Sequence, residues 1–457
     1  MRKRFPILRN LILLTGDIGI LLIAAYFATI IVFIDRSLPT YTHYDYIIIL
    51  MIVAAGFLLN INGLLSLEGK KYSEIILSLA ITVLNLLIIM MATSFFVREF
   101  NYSRSVLAIT AILQFVLLAI WNYIFWWMER RSLPQDVLVI GNQAECARVI
   151  ARLSNQPQLN YKIRYICTDR DNENWKKIAG YIDLIIICAD LSLKEKSKIV
   201  HFCHVNSKQI LLVPDVYELF CSGVELDKID DIPVFIPRYL RPTLEQRFLK
   251  RTLDLVIAGT AILLLWPICI LLAIAIKIDD PGPILYSQER FGLNEVKFKI
   301  YKFRTMHQNA EKISGPMLAT DNDPRITTVG RFLRGVRLDE LPQFINVLLG
   351  NMSIVGPRPE RPFFVEQFAK KIPEYIYRHN VKPGITGLAQ VYGKYNTDPY
   401  DKLVYDLIYI QKCNIFTDLI IIIQTIKVLV TKSSAGGVSG LNKVETDLSR
   451  YKIGGVG

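Results

Sequence analysis

The sequence predicts an integral membrane α/β protein. Its expected parts are a four-helix transmembrane bundle, a Rossmann-like α/β domain, and a C-terminal domain with a re-entrant membrane helix and amphipathic surface helices. Three observations carry this reading. The 457 residues are 52% hydrophobic, with a mean hydropathy of +0.32, too apolar for an ordinary soluble chain. Four apolar runs, each about 20 residues or longer, follow one another from the N-terminus, enough to cross a hydrocarbon core as helices. Beyond residue 133 the pattern changes to short apolar strands alternating with helices.

The four runs cover about residues 11–34, 46–67, 75–97 and 106–127. The first follows Arg2, Lys3, Arg4 and Arg9, but it has full membrane length and no small-residue cleavage site, so a cleavable signal peptide is not expected. Positive charge gathers at the N-terminus, at Lys70 and Lys71, and at Arg130 and Arg131. The two opposite loops carry only Arg36, then Arg98 and Arg104. The positive-inside rule places both ends of the bundle in the cytoplasm. Trp121, Tyr123, Trp126 and Trp127 cluster as an interfacial belt does. Asp17, inside the first run, reads as a helix–helix or headgroup contact before it reads as a functional polar site.

Residues 136–153, DVLVIGNQAECARVIARL, read as a buried strand, a glycine turn and a helix. YIDLIIICAD (181–190) and KQILLVPDVYELF (208–220) read as further parallel strands. The dinucleotide fingerprint is incomplete. Gly141 is present, but Gln143 and Cys146 stand where the later glycines belong, so a structural or regulatory role is expected ahead of nucleotide binding.

A fifth apolar run, residues 253–276, is long enough to span. Spanning would carry everything after it out of the cytoplasm, away from the face where the bundle leaves the chain. Pro267 sits near its centre and removes a backbone hydrogen bond. A helix that enters the bilayer and returns to the same face resolves the conflict; a kinked but true span is the other reading.

Net charge is +12, a balance suited to nucleic acid, an anionic bilayer surface or a phosphorylated substrate. No recognition helix, zinc finger or ribonucleoprotein motif accompanies it, so no nucleic-acid partner is expected. Seven cysteines (Cys146, Cys167, Cys188, Cys203, Cys221, Cys269, Cys413) are scattered without a CxxC pair. Reduced cytosolic thiols fit this better than a disulfide framework or a zinc site.

The unusual residues lie in 280–432. Asp339 and Glu340 stand side by side in RLDELPQF, and Asp339 reads as the N-cap of the helix that follows, which would hold it ionised. Two adjacent carboxylates repel unless a cation intervenes, and Mg²⁺ is the natural one. A plain helix cap remains the competing reading. Arg331, Arg334 and Arg337 recur every third residue and would share one helix face, an anion site or a solvated face. GPRPE (356–360) presents Arg358 between Pro357 and Pro359, and VKPGITGLAQ (381–390) is a turn whose amides could face phosphate. Residues 402–430 read as amphipathic helices lying on a membrane surface, and the Gly/Ser-rich residues 433–457 as disordered.

From RTLDLVIAG through the Pro267 helix, KFRTM, DPRITTVGRFLRGVRLDELPQFINVLLGNMSIVGPRPE, VKPGITGLAQVYG and YDLIYI, the chain resembles the bacterial polyprenyl-phosphate sugar-1-phosphate transferases over residues 245–432. The spans and the Rossmann-like insert resemble the large-form members, the undecaprenyl-phosphate glucose- or galactose-phosphotransferases that start capsule, exopolysaccharide or O-antigen synthesis. The resemblance implies spans in 1–131, a cytoplasmic Rossmann-like domain in 132–243, a catalytic domain in 244–432 with a re-entrant helix near 252–278, and a tail from 433 to which nothing is assigned. It implies a multi-pass protein of the bacterial inner membrane with its active site on the cytoplasmic face. Asp339 would be the nucleophile toward a UDP-sugar, releasing UMP, with undecaprenyl phosphate as acceptor. Glu340 would help Asp339 hold Mg²⁺ or orient the acceptor, and Pro357, Arg358 and Pro359 would shape the nucleotide end. Arg337, Arg304 and Lys302 are candidates for phosphate contacts by charge alone. A homodimer through the spans or the α/β domain is expected. One departure is Asn351, where many relatives carry an acid.

Two other functions compete. A glycosyltransferase moving the bare sugar and releasing UDP would use a DxD metal site, and Asp321-Asn322-Asp323 has that form. A non-catalytic membrane scaffold that senses a nucleotide would tolerate loss of the Asp339 charge.

Overall fold

A computed structural model describes residues 6–33, 44–67, 69–96, 104–131, 134–168, 174–221, 225–229, 232–236, 240–308, 323–393, 397–430 and 452–453. Arg2, Lys3, Arg4, Arg36, Arg98, Asp321 and Asn322 lie outside these residues, as does the tail apart from Lys452–Ile453. The chain forms two compact units, Met1–Val213 with Val444–Gly457, and Pro214–Lys443.

In the first unit, α1 (Pro6–Val32), α2 (Tyr44–Ile61), α3 (Tyr72–Phe96) and α4 (Arg104–Arg130) pack around Leu13, Leu21, Leu59, Leu79 and Leu118. Leu-rich runs without interior proline give the helices, and their remaining apolar faces stay exposed, as lipid contact requires. Arg9–Val32, Tyr72–Phe95 and Ser105–Arg130 are long and apolar enough to cross a membrane. The second run is shorter than its sequence reading: α2 ends at Ile61. Gly63 turns left-handed (φ +67°), and Leu64 N–H returns to Leu59 O at 2.8 Å, a glycine C-terminal stop. Asp17 is fully buried and accepts from Asn122 Nδ2 at 2.9 Å, a contact between α1 and α4. Arg9 and Glu129 pair at 3.2 Å between the same two helices.

The α/β part of this unit holds β1 (Gln135–Ile140), α5 (Gln143–Ser154), β2 (Tyr161–Cys167), α6 (Asn174–Ala179), β3 (Leu184–Ile187), α7 (Leu193–Val205) and β4 (Gln209–Leu212). The strands are parallel in the order β2-β1-β3-β4, and Lys452–Ile453 adds a short parallel strand beside β2. β1 and β3 read as continuous apolar runs because both faces of a parallel sheet are covered.

The second unit begins with α8 (Val216–Cys221) and the hairpin β5 (Glu225–Ile229) and β6 (Ile232–Ile236). Residues 214–243, read with the α/β domain from sequence, thus belong to the C-terminal unit. Val216 and Leu219 join its core, and Tyr400 OH donates to Asp215 Oδ1 at 2.7 Å.

α9 (Leu244–Asp279) opens on a Thr243/Gln246 capping box and runs through Pro267 as one 36-residue helix, about 54 Å long. A single proline costs one backbone bond, which a long apolar helix absorbs. Its first turns dock by one face. Lys250 Nζ binds Asp418 Oδ2 at 2.6 Å and Tyr409 OH at 2.8 Å, while Asp254 Oδ1 accepts from Ser353 Oγ and Ile354 N–H, both at 2.9 Å. At the other end Ile276 packs with Phe303 and Leu333, and Asp279 Oδ2 accepts from Val329 N–H at 3.0 Å. Both ends therefore contact this one unit, while Leu263, Leu264, Trp266 and Leu271 between them are exposed.

The remainder is β7 (Leu285–Phe291), β8 (Lys297–Phe303), α10 (Thr328–Gly335), α11 (Gln343–Leu349), β9 (Ser353–Val355), α12 (Pro362–Lys371), β10 (Gly384–Thr386), α13 (Leu388–Tyr392), α14 (Pro399–Gln411) and α15 (Ile415–Val430). β7 and β8 pair antiparallel, β9 and β10 parallel. α14 is a core helix rather than a membrane-surface one: Leu403, Leu407, Tyr409 and Ile410 are buried against Val347, Met352 and Val355. Large exposed apolar side chains sit instead on α10 (Phe332), α11 (Leu349), α12 (Phe363), α13 (Tyr392) and α15 (Phe416).

Candidate active site

The acid pair stands on a tight turn between α10 and α11. Arg337 adopts a left-handed conformation (φ +56°), and Leu338–Glu340 form one 3₁₀ turn. α11 begins only at Gln343, with Pro342 before it. Asp339 is thus not a helix N-cap, contrary to the sequence reading; the preceding left-handed residue and Pro342 hold the chain in the tighter turn. Nor do the three arginines share a face, since α10 ends at Gly335 and Arg337 lies beyond it.

α11 is fixed against β8 by Asn346, which is fully buried. Its Oδ1 accepts from Tyr301 N–H at 2.9 Å, and its Nδ2 donates to Lys299 O at 2.8 Å. This docking brings Lys302 of β8 to the turn. Lys302 Nζ donates to Glu340 Oε1 at 2.7 Å, and Arg358 Nη2 donates to the same oxygen at 2.9 Å. Asp339 beside it accepts no hydrogen bond among the described residues and is half-buried.

The two carboxylates are shifted in opposite directions. Burial works to raise Glu340, but Arg358 and Lys302 outweigh it and hold its carboxyl well below the usual range. Burial first, then the Glu340 charge, raises Asp339; Lys302, Arg334 and Arg358 act against that rise. Glu340 is the clamped anion of the pair.

The Pro357-Arg358-Pro359 segment is held by its carbonyls. Gly384 N–H donates to Pro357 O at 2.9 Å, Arg378 Nη2 to Arg358 O at 3.0 Å, and Arg290 Nη1 to Pro359 O at 3.2 Å. Arg378 is itself buried and pairs with Asp406 of α14 at 2.8 Å. Burial lowers Arg290 to about 10, with Arg358 and Arg361 pushing the same way and Glu360 opposing.

Lys302 and Arg358, read from sequence as phosphate- and nucleotide-facing residues, both meet Glu340 of the acid pair. Arg304 does not: it is buried and occupied by the main-chain carbonyl and carboxylate of Asp280. In the VKPGITG turn the Gly384 amide is taken by Pro357 O, while Pro383 O and Thr386 O accept from Ser353 N–H and Gly356 N–H beside the β9–β10 pairing. Asp323, the described member of the DxD triplet, is buried and clasped by Arg325 through Nε at 2.8 Å and Nη2 at 2.5 Å. Sequence reasoning missed Arg378, Asp406, Asn346 and Arg290. Asp406 did carry a signal, a lone acid on the same helix face as Leu403, Leu407 and Ile410.

In the α/β part, Asp190 Oδ2 accepts from Asn142 N–H at 2.9 Å, directly after the glycine turn at Gly141. Asn142 caps α5 by accepting from Glu145 N–H at 2.8 Å. The Asp190 carboxylate thus stands where a dinucleotide phosphate would sit in a Rossmann turn.

Helices long and apolar enough to cross a membrane, a parallel α/β part, and a clamped acid pair on a proline-rich, cation-lined site define the class: a membrane α/β transferase. A family model described as bacterial sugar transferase matches residues 245–432, and one described as a CoA-binding domain matches residues 63–201. The chain is 39% identical over 232 residues to a UDP-N-acetylgalactosamine-undecaprenyl-phosphate N-acetylgalactosaminephosphotransferase of Aeromonas hydrophila, covering 50% of this chain and 54% of that protein. It is 36% identical over 312 residues to a UDP-glucose:undecaprenyl-phosphate glucose-1-phosphate transferase of Escherichia coli K12, covering 64% and 66%. It is 41% identical over 186 residues to an exopolysaccharide production protein PSS of Rhizobium leguminosarum bv. phaseoli, covering 39% of this chain and 93% of that protein. The aligned part thus spans about half to two thirds of the first two relatives. The chain belongs to the bacterial sugar transferase family.

Proposed function

We propose that the protein transfers a sugar-1-phosphate from a UDP-sugar to undecaprenyl phosphate and releases UMP, as the first membrane step of capsule, exopolysaccharide or O-antigen synthesis. One observation carries the mechanism. Of two adjacent carboxylates, Glu340 is clamped by Lys302 and Arg358, while Asp339 accepts no hydrogen bond among the described residues. A clamped carboxylate is a poor nucleophile and an unpaired one a good one.

In the first step an Asp339 carboxylate oxygen bonds to the β-phosphorus of the donor. The bond from that phosphorus to the bridging oxygen breaks, and UMP leaves with the electron pair. In the second step a phosphate oxygen of undecaprenyl phosphate attacks the same phosphorus and frees the Asp339 carboxylate. Lys302, Arg334 and Arg358 place positive charge beside the transferring group, where the transition state gathers negative charge. Asp339 and the remaining oxygen of Glu340 suit Mg²⁺, which takes one or two carboxylates and completes its shell with substrate phosphates and water. Bound there, the ion would neutralise the diphosphate.

The geometry of α9 supports a re-entrant path. A straight 36-residue span would put Lys250 and Asp279 on opposite faces of a bilayer, whereas both contact the same unit. A helix that bends back at Pro267 would keep the active site on the cytoplasmic face of the bacterial inner membrane. The DxD alternative loses support because Asp323 is occupied by Arg325.

The test is the nucleotide released when purified protein meets UDP-sugars, Mg²⁺ and undecaprenyl phosphate. UMP, lost in Asp339→Asn, is the expected product; UDP overturns the mechanism.

A further inference from the structure

The end of α11 away from the acid pair carries two cations beside each other. Arg251, at the foot of α9, donates to the terminal α11 carbonyls, from Nη1 to Val347 O at 2.6 Å and from Nη2 to Leu348 O at 2.8 Å. These two bonds leave three guanidinium N–H groups unassigned. Lys382, from the VKPG turn, makes no hydrogen bond or ion pair among the described residues. Both face Gly350, which closes α11 in a left-handed conformation (φ +87°). A Cβ placed on Gly350 would lie 3.6 Å from Arg251 Nη2 and 3.7 Å from Lys382 Nζ. The two cationic groups thus converge on one point beside Gly350, close enough to share a single tetrahedral anion held by charge-assisted bonds of about 2.8 Å.

Asp254, whose charge Lys382 feels, has one oxygen engaged within the fold. Asp254 Oδ1 holds Ser353 Oγ and Ile354 N–H. Lys250 is likewise taken by Asp418. Burial lowers Lys382 below the ordinary lysine value, and Arg251 adds to this, while Asp254 works against it. An ammonium so placed gains from a further anion.

The surroundings say what kind of anion. Phe248 and Leu249 flank Arg251 on α9, and Leu348 and Leu349 precede Gly350; all four are exposed. The apolar stretch of α9 starts at Leu253, two residues beyond Arg251. Charge with an apolar skirt at the foot of a membrane helix matches a lipid headgroup and its acyl chains, whereas free phosphate would leave the skirt in water. We propose that Arg251 and Lys382 form a binding site for the phosphate of an anionic phospholipid, seated beside Gly350 where α9 meets the bilayer surface.

The experiment uses the full chain in nanodiscs of phosphatidylcholine alone or mixed with phosphatidylglycerol. Retained phosphatidylglycerol is counted by native mass spectrometry for the wild type, Lys382→Gln, Lys382→Arg and the exposed-site control Lys412→Gln. The wild type, Lys382→Arg and Lys412→Gln are expected to retain the lipid, and Lys382→Gln to bind it about tenfold more weakly. Equal retention by Lys382→Gln overturns the site. A second measurement needs no variant. Phosphatidylglycerol is expected to protect wild-type Lys382 from acetylation, read by peptide mapping, and inorganic phosphate is not. Absence of lipid protection overturns the proposal, and equal protection by phosphate overturns the lipid as occupant.

Discussion

Arg378 donates from Nη2 to the main-chain carbonyl of Arg358 at 3.0 Å, so the guanidinium that clamps Glu340 is positioned by a second, buried guanidinium. Arg378 in turn is held by Asp406 at 2.8 Å. A chain of three charged residues thus links the core helix α14 to the acid pair. Asp406→Asn keeps the shape but removes the charge that fixes Arg378. It is expected to lower kcat/KM for UMP release by about tenfold to a hundredfold, the scale of a misplaced catalytic group. Asp406→Glu is expected to recover part of this loss. A fall in thermal stability with kcat/KM unchanged would reduce the linkage to a packing role.

Asp339 must be ionised to attack phosphorus, and burial together with Glu340 raises its pKa above the ordinary 3.8. The carboxylate is lost as pH falls, so kcat/KM should fall on the acid side with a midpoint above 3.8. Arg358 is one of the charges opposing the rise. Arg358→Gln should therefore move the midpoint to higher pH, besides lowering the rate. A midpoint that stays put or moves down would contradict the assignment of Asp339 as the titrating nucleophile.

Asp254 satisfies two donors with one buried oxygen, Ser353 Oγ and Ile354 N–H. Asp254→Ala leaves both unpaired and loosens the foot of α9. The expected cost is about 2–4 kcal/mol of stability, read as a lower unfolding midpoint in nanodiscs. Asp254→Asn keeps an acceptor and should cost less than half of that. Equal loss in the two variants would mean that the charge, not the acceptor, matters.

The Asp190 carboxylate bound to Asn142 N–H occupies the position where a phosphate would meet the Gly141 turn. Titration calorimetry of the full protein is expected to show binding of NAD or coenzyme A no tighter than about 1 mM. Micromolar binding of either would return the α/β part to the ligand-binding class.

The sequence by itself determined the parts whose signal is local. Long apolar runs gave α1, α3 and α4, continuous apolar strands gave β1 and β3, and the carboxylate pair and Pro-Arg-Pro could be read as chemistry before any contact was known. The Asn62-Gly63 stop of α2 was also local and was passed over, because apolar residues continue beyond it to Leu67. Tertiary structure decided whatever depends on partners distant in the chain. Lys302 and Glu340 are 38 residues apart, Arg378 and Asp406 are 28, and no periodicity relates them. The opposite shifts of Asp339 and Glu340 likewise follow from which one Lys302 and Arg358 reach, since the two have nearly the same intrinsic acidity. Arg304 shows the converse: its charge was legible, but Asp280 had already claimed it. Charge type is written in the residue, whereas the field it feels is set by the fold.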